Sequence, residues 1–287
     1  MSTSGQGNLI PNSPIVNLGN LYINGAVLTF VDGTHLSVGK GQVRDSTDTS
    51  DIIIGGNLYD APGATVALSN YAAESGTTNP VTISNAVTIN TAVVGAGGID
   101  AGAIAASSLY AVYVIGDSRG FKSGSALISL NFPASAVPYP SLPLGYDMYR
   151  YVGSVSTDGA AALLAFTSIT SNLTTFLATP VSVLSSGNAT VFTPVVLTTV
   201  VPSTATGVYL LATLTSDAGG ARTAGLKATS STSTAGQVVL TSPASTVTVS
   251  TVLVPVSVVA GVVSISYLVS NAAASLSLSV TGFVSKI

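Results

Sequence analysis

No long segment of this chain repeats apolar residues at i, i+3, i+4 and i+7 with charge on the opposite face, so it holds almost nothing from which to build an amphipathic helix. β-Branched and hydroxyl-bearing residues run throughout instead. Such side chains lose freedom against a helical turn but pack well on a pleated surface. Gly, Asn, Asp and Pro recur at strand-length intervals between them. The expectation is an all-β fold, long enough at 287 residues to bury a core without disulfides or metals.

Residues 1–17 read as an extended N-terminal arm, with Gly5, Gly7, Pro11 and Pro14 and little periodicity. Its apolar Leu9, Ile10, Ile15 and Val16 are costly to leave in water, which makes them candidate contacts on a neighbouring subunit; a frayed terminus is the plainer alternative. Short strands are predicted over residues 21–23, 27–30, 36–38 and 52–54. Asn24-Gly25 and Asp32-Gly33 lie between them, and both dipeptides tolerate the positive φ of tight hairpins. Residues 55–80 read as an excursion ending at Pro80, and residues 81–89 alternate as a strand does. Residues 109–115 form a continuous apolar run, which predicts a central strand buried on both faces. Further strands are expected at 127–130 and 152–155. Between these lie residues 131–145, whose Pro133, Pro138, Pro140 and Pro143 exclude both a helix and an internal strand. This segment reads as a stiff connection over the rim of the domain. Pro138, Tyr139 and Pro140 are its candidate contact residues, with Tyr139 as a possible anchor.

Charge divides the chain. Charged residues make up 7% of it, against about 25% in ordinary soluble proteins. Residues 1–171 carry ten acids and five bases, a net −5, while residues 172–287 carry only Asp217, Arg222, Lys227 and Lys286, a net +2; together these give the overall −3. The composition shift places a boundary near 168–173, between an N-terminal β domain (18–170) and a C-terminal domain (171–287). The second part reads as strands at 190–192, 195–201, 208–215, 224–229, 237–241, 247–258, 262–269 and 275–280. In the last of these, Ser275, Ser277 and Ser279 alternate with Leu276, Leu278 and Val280. That density of strands fits a β-sandwich or jelly roll. No fixed-period repeat points to a solenoid or propeller. Residues 249–270 carry no charge and are long enough to span a bilayer, but Pro255 and Gly261 interrupt them. Val252, Val254, Val256 and Val258 alternate, which predicts a strand and a turn instead.

The residues that carry chemistry are scarce. There is no cysteine, hence no disulfide and no thiolate metal site. With no basic patch and a pI of 4.7, a nucleic-acid partner is not expected, nor is a membrane. Met1–Gly5 lacks a basic stretch followed by an apolar one, so a secretory leader is not expected either. The single histidine, His35, follows Asp32-Gly33-Thr34 and reads as a polar turn residue; any Ser-His-Asp triad would have to use it. Gly116-Asp117-Ser118 resembles a hydrolase nucleophile block, but a matching Asp-x-x-His element is missing. Asp45, Asp48 and Asp51 offer oxygens to a calcium ion, although their spacing is not that of a calcium loop, and a solvated turn with Arg44 is the simpler reading. Gly95-Ala96-Gly97-Gly98 lacks the Lys-Ser/Thr of a phosphate loop. Glu74 is the sole glutamate, and no tryptophan is present to form a sugar platform. No catalytic residue, cofactor or metal ligand is assigned, and the chain is not expected to be an enzyme.

Several segments occur in an order that resembles the virion structural proteins of tailed bacteriophages, such as head decoration proteins, head fibres and tail fibres. They are Leu21-Tyr22-Ile23-Asn24-Gly25, Gln42-Val43-Arg44-Asp45-Ser46-Thr47-Asp48, Ala96-Gly97-Gly98-Ile99-Asp100-Ala101-Gly102, Ser107-Ser108-Leu109-Tyr110-Ala111-Val112-Tyr113-Val114-Ile115, Leu142-Pro143-Leu144-Gly145-Tyr146-Asp147 and Gly153-Ser154-Val155-Ser156-Thr157-Asp158-Gly159. Ser266-Tyr267-Leu268-Val269-Ser270-Asn271 adds a weaker likeness. The resemblance implies a β-rich particle protein, commonly a homotrimer, with no catalytic residue to carry over. It implies synthesis in the host cytoplasm and a place on the outer surface of the virion, against the major capsid protein or other virion proteins. The absence of a repetitive shaft favours a capsid decoration or cement protein, or a short head fibre. A tail-fibre or receptor-binding module is the alternative, and a polysaccharide hydrolase a distant third.

Overall fold

A computed structural model of the chain describes residues 16–17, 22–24, 28–38, 41–44, 51–54, 81–83, 87–117, 122, 124–133, 140–169, 174–232 and 237–285. Every regular element among them is a strand, and the fold is all-β. The N-terminal half contains β1 (Val16–Asn17), β2 (Tyr22–Asn24), β3 (Leu28–Asp32), β4 (His35–Val38), β5 (Gly41–Arg44), β6 (Asp51–Ile54), β7 (Val81–Ile83), β8 (Val87–Asn90), β9 (Leu109–Gly116), β10 (Ser125–Ser129), β11 (Met148–Ser156) and β12 (Phe166–Ile169). The C-terminal half adds β13 (Thr174–Gly187), β14 (Thr193–Val196), β15 (Ala205–Thr215), β16 (Arg222–Ala228), β17 (Val238–Ser242), β18 (Val247–Pro255), β19 (Ser257–Val259), β20 (Val262–Val269) and β21 (Ser275–Ser285).

A three-stranded antiparallel sheet, β10-β9-β11, forms the centre of the N-terminal half. One of its faces, with Tyr110, Val112, Val114, Ala126 and Ile128, packs on Leu28, Leu36, Val38 and Ile89 of β3, β4 and β8. The other face, with Ala111, Tyr113, Ile115, Leu127 and Tyr151, packs on Phe132, Leu142, Tyr146 and Tyr149. All eight residues of β9 are therefore buried, as its continuous apolar run predicts. The Pro-rich segment behaves differently from the expectation of a rim connection. Its described residues close over the second face of β9: Tyr113 donates its hydroxyl to the Asn131 carbonyl (2.8 Å) and sets its ring edge-on to Tyr149 and Tyr151, each at 5.9 Å. Proline suits this place because a covering segment outside any ladder needs no ladder N–H.

The C-terminal half is two sheets face to face. Val208, Leu210, Ala212, Leu214, Val254, Leu276, Leu278 and Val280 project from β15, β18 and β21. They meet Val195, Ala224, Leu226, Leu240, Val263, Ile265 and Val269 of the opposing sheet in one core. Along β21 the predicted alternation holds: Leu276, Leu278 and Val280 are buried, while Ser275, Ser277 and Ser279 are half-exposed on the outside. Counting the principal strands from β13 and setting aside the short β19, one sheet runs first, eighth, third, sixth (β13-β21-β15-β18). The other runs second, seventh, fourth, fifth (β14-β20-β16-β17). Every pairing within both is antiparallel. The charge-free stretch at 249–270 is thus strand, turn and strand. Ala260 (φ 48°) and Gly261 (φ 82°) supply the two left-handed positions that a tight β19–β20 hairpin requires. Among the described residues no helix is long and apolar enough to cross a membrane.

One eight-stranded sheet, β18-β15-β21-β13-β12-β3-β4-β8, carries strands from both halves. β12 pairs with β13 from Phe166↔Leu177 to Ile169↔Thr174, and with β3 at Thr167↔Thr29. The composition boundary near residue 170 therefore falls between two neighbouring strands of one ladder, while the side chains on either side of it gather in separate cores. Sequence periodicity does not reveal β12 and β13. β13 contains Pro180, and its register with β21 shifts between Phe176 and Val181, at Ser182–Leu184 and again before Gly187, which erases simple alternation. Residues 190–192, expected as a strand, precede β14 rather than belong to it.

Leu36→Ala and Leu278→Ala each empty space in one of the two cores and are expected to cost about 2–5 kcal/mol. Because one sheet is common to both, urea unfolding followed by tyrosine fluorescence and by circular dichroism is expected to show a single transition that both substitutions shift. Two separable transitions would mean that the cores unfold independently.

Candidate assembly surface

The residues singled out as contacts are scattered. Leu9, Ile10, Ile15, Pro138 and Tyr139 lie outside the described residues. Val16 is in β1, where its backbone pairs with Ile23 of the same chain. Pro140 is buried within the single chain. Asp45 and Asp48 also lie outside the described residues, and Asp51 stands opposite Arg44 in the β5–β6 hairpin. Among the described residues no group of three metal-ligating side chains is assembled.

His35 sits where β3 turns into β4. The turn is built on Asp32, whose Oδ1 accepts the backbone N–H of Thr34 and of His35, both at 2.8 Å, and the Thr34 hydroxyl at 2.9 Å. The Thr34 N–H, then the His35 and Thr34 side chains, hold the Asp32 carboxyl down to about 2. A catalytic triad places its nucleophile and its acid on opposite ring nitrogens. Here the Thr34 hydroxyl (2.8 Å) and the Asp32 carboxylate (2.9 Å) both sit at Nδ1, an arrangement that caps a turn. Asp117 is buried at the end of β9, and Ser118, the other half of the hydrolase-like block, lies outside the described residues.

The two halves meet through hydroxyls. Tyr151 from β11 is buried, and its hydroxyl lies 2.5 Å from Ser154 Oγ and 3.0 Å from Thr204 Oγ1 in the loop before β15. Burial pushes its ionisation up, so it acts as a neutral link. Beside this junction is a cleft of about 510 Å³ whose walls include Ser107, Ser156, Asp158, Val183 and Thr199. Asp158 there spends Oδ1 on the backbone N–H groups of Ala160 (2.8 Å) and Ala162 (2.9 Å). Among the described residues its lining presents hydroxyls, aliphatic groups and the single carboxylate of Asp158.

What distinguishes the surface is its neutrality. β13, β15, β18 and β21 contain no Asp, Glu, Lys or Arg. The described charges of the C-terminal half are taken up internally. Arg222 grips Asp217 through Nε (2.6 Å) and a terminal nitrogen (3.0 Å), and Lys227 lies 4.2 Å over the Phe192 ring and donates to the Ser231 carbonyl. The outer face formed by β13, β15, β18 and β21 therefore carries no charged group, only hydroxyl, aromatic and aliphatic ones. On β18, Val247 (59% exposed), Val249 (58%) and Leu253 (47%) project into solvent. Beside them stand Thr213, Leu211 and Tyr209 of β15, and beyond those Ser277 and Ser279 of β21. No protein-family model matches the chain, and no curated protein matches it.

Two measurements check these local structures. Since its folded pKa is depressed, Asp32 contributes stability that is complete above its unfolded value of 3.8 and is lost as pH falls through about 2. An NMR titration of its side-chain carboxyl is expected to centre near 2; a midpoint at 3.8 would mean that the turn is not held this way. Tyr151→Phe removes the hydroxyl link between the halves and is expected to cost about 1–2 kcal/mol in denaturant unfolding, with the β-sheet circular dichroism unchanged.

Proposed function

We propose that the chain is a non-enzymatic structural protein of a tailed-bacteriophage virion: a capsid decoration or cement protein, or short head fibre, that binds the outer shell and self-associates. The observation that carries this reading is the strand order of the C-terminal half. A first-eighth-third-sixth sheet packed on a second-seventh-fourth-fifth sheet is the order that rolling up one long antiparallel hairpin would give, and we read it as a jelly roll. That architecture recurs in viral capsid domains, lectins and cupins. A cupin centre is built from histidines, and the only histidine of this chain, His35, stands outside the rolled half. A lectin site on an aromatic platform finds no ring among the lining of the cleft. The neutral outer sheet face, by contrast, suits a surface that neighbours cover, because burying hydroxyl and aliphatic groups avoids the cost of stripping water from charges.

The ordered segments that resemble phage particle proteins point the same way and imply a trimer. The partners are then further copies of this chain and the major capsid protein, held by apolar burial and by hydroxyl and strand-edge hydrogen bonds.

Purified protein is expected to co-sediment with empty phage capsids and to saturate at a fixed ratio to the major capsid protein. Gold labelling of virions should then decorate the head. Label at the tail tip would overturn the head placement in favour of a receptor-binding module, and a chain that binds neither part of the particle would overturn the virion reading itself.

A further inference from the structure

The edge of the eight-stranded sheet at β18 is open, and its geometry identifies what fits it. β18 pairs with β15 from Gly207↔Pro255 to Thr215↔Val247 without a register shift, so the strand is regular along its whole length. At one end Val256 N–H donates to the Thr206 carbonyl (3.3 Å), and at the other Ser216 N–H donates to the Thr246 carbonyl (2.9 Å). Antiparallel hydrogen bonding alternates residue by residue, so the even-numbered residues of β18 face β15. The N–H and C=O groups of Val247, Val249, Thr251 and Leu253 consequently point the other way, towards the open side. No described strand pairs with them there. The same four residues and Pro255 carry the exposed side chains of the strand, and Pro255, which has no N–H, falls where the row ends.

Proteins commonly protect such an edge with lysine, a bulge, an inward charge or a covering loop. β18 has no charge and no bulge, and residues 228–285 contain no Asp, Glu, Lys or Arg at all. A strand without charge meets its own copy without repulsion. We propose that β18 is a self-pairing edge: it hydrogen-bonds antiparallel to β18 of a second copy, about a two-fold axis through Thr251, and joins two sheets into one. In that register Thr251 faces Thr251, Val249 faces Leu253 and Val247 faces Pro255. The outward N–H and C=O groups of Val249, Thr251 and Leu253 are then satisfied reciprocally, Val247 N–H meets the Pro255 carbonyl, and β-branched and aliphatic side chains stand opposite each other, as cross-strand pairs prefer. This deepens the self-association in the reading above without resting on the particle. It sets a two-fold contact beside the three-fold state that the resemblance implies.

A charge swap at one position tests it. The full chain is expected to show, by light scattering, a mass of two copies or an even multiple. Thr251→Lys and Thr251→Glu each place like charges face to face and are expected to weaken pairing by about ten-fold or more. An equimolar mixture of the two variants is expected to restore it. Circular dichroism reports whether each variant is folded. If either is not, the pair Val249→Lys and Leu253→Glu, opposite each other in the same register, reads the same contact. A wild-type monomer, or assembly indifferent to every substitution, would overturn the proposal. The second of these outcomes leaves self-association through another surface standing. Loss of assembly that mixing does not restore would overturn the two-fold register.

Discussion

The hydrogen-bonded ladder around Ser275–Ser285 is what the rest of the structure hangs on. This strand receives β13 on one side and β15 on the other, so it sits in the middle of the C-terminal portion of the large sheet. β13 in turn pairs with β12, and β12 with β3, which carries the ladder into the N-terminal half. The fit is close at Gly282, where an added Cβ would lie 2.5 Å from the Thr175 carbonyl oxygen. A side chain there would push β13 and β21 apart at the point where the two halves are joined. The Tyr151 hydroxyl adds a second tie between the halves, but it is a single polar contact beside a continuous backbone ladder.

Neutrality is the second constraint, and it follows from how the strands are used. A sheet with one face in a core needs apolar residues at every other position, and those are present along β15 and β21. The outer positions are free to be anything polar, and in most proteins they carry Lys and Glu. Here they carry Ser, Thr, Tyr and aliphatic residues. Hydroxyls bond water or protein with similar ease, so a face made of them has little preference for solvent. The described charges of this half are engaged in a local ion pair and a cation–ring contact.

How much of this the sequence reveals depends on whether the property is local. The doubly buried β9 is legible because a two-faced core strand must be apolar at every position. The turn at Asp32-Gly33 is legible because its chemistry lies within four residues. β13 is not: its bulges and Pro180 break the period, and most of its length is held by β21, which is distant in the chain. The cover over β9 is hidden for a related reason, since prolines announce what a segment cannot do but not what it lies against. The open edge is the hardest to read. Val247, Val249 and Leu253 add apolar residues to the outer side of β18, as in a strand covered on both faces, and only its pairing separates a strand in the middle of a sheet from one at its margin.

The position of β21 also sets an order of events during synthesis. In the rolled half the first strand pairs with the eighth, and the third has the eighth as one of its two neighbours. A nascent chain that has emerged only as far as β20 has β12 alone beside β13 and lacks one side of β15, so the large sheet cannot close. Its inner hydrophobic faces then wait uncovered on the ribosome until the final strand arrives, and closing so large a sequence separation is slow. For a chain with so few charges to keep its unfinished sheets apart, this interval, rather than the folded state, is where misassembly is most strongly favoured.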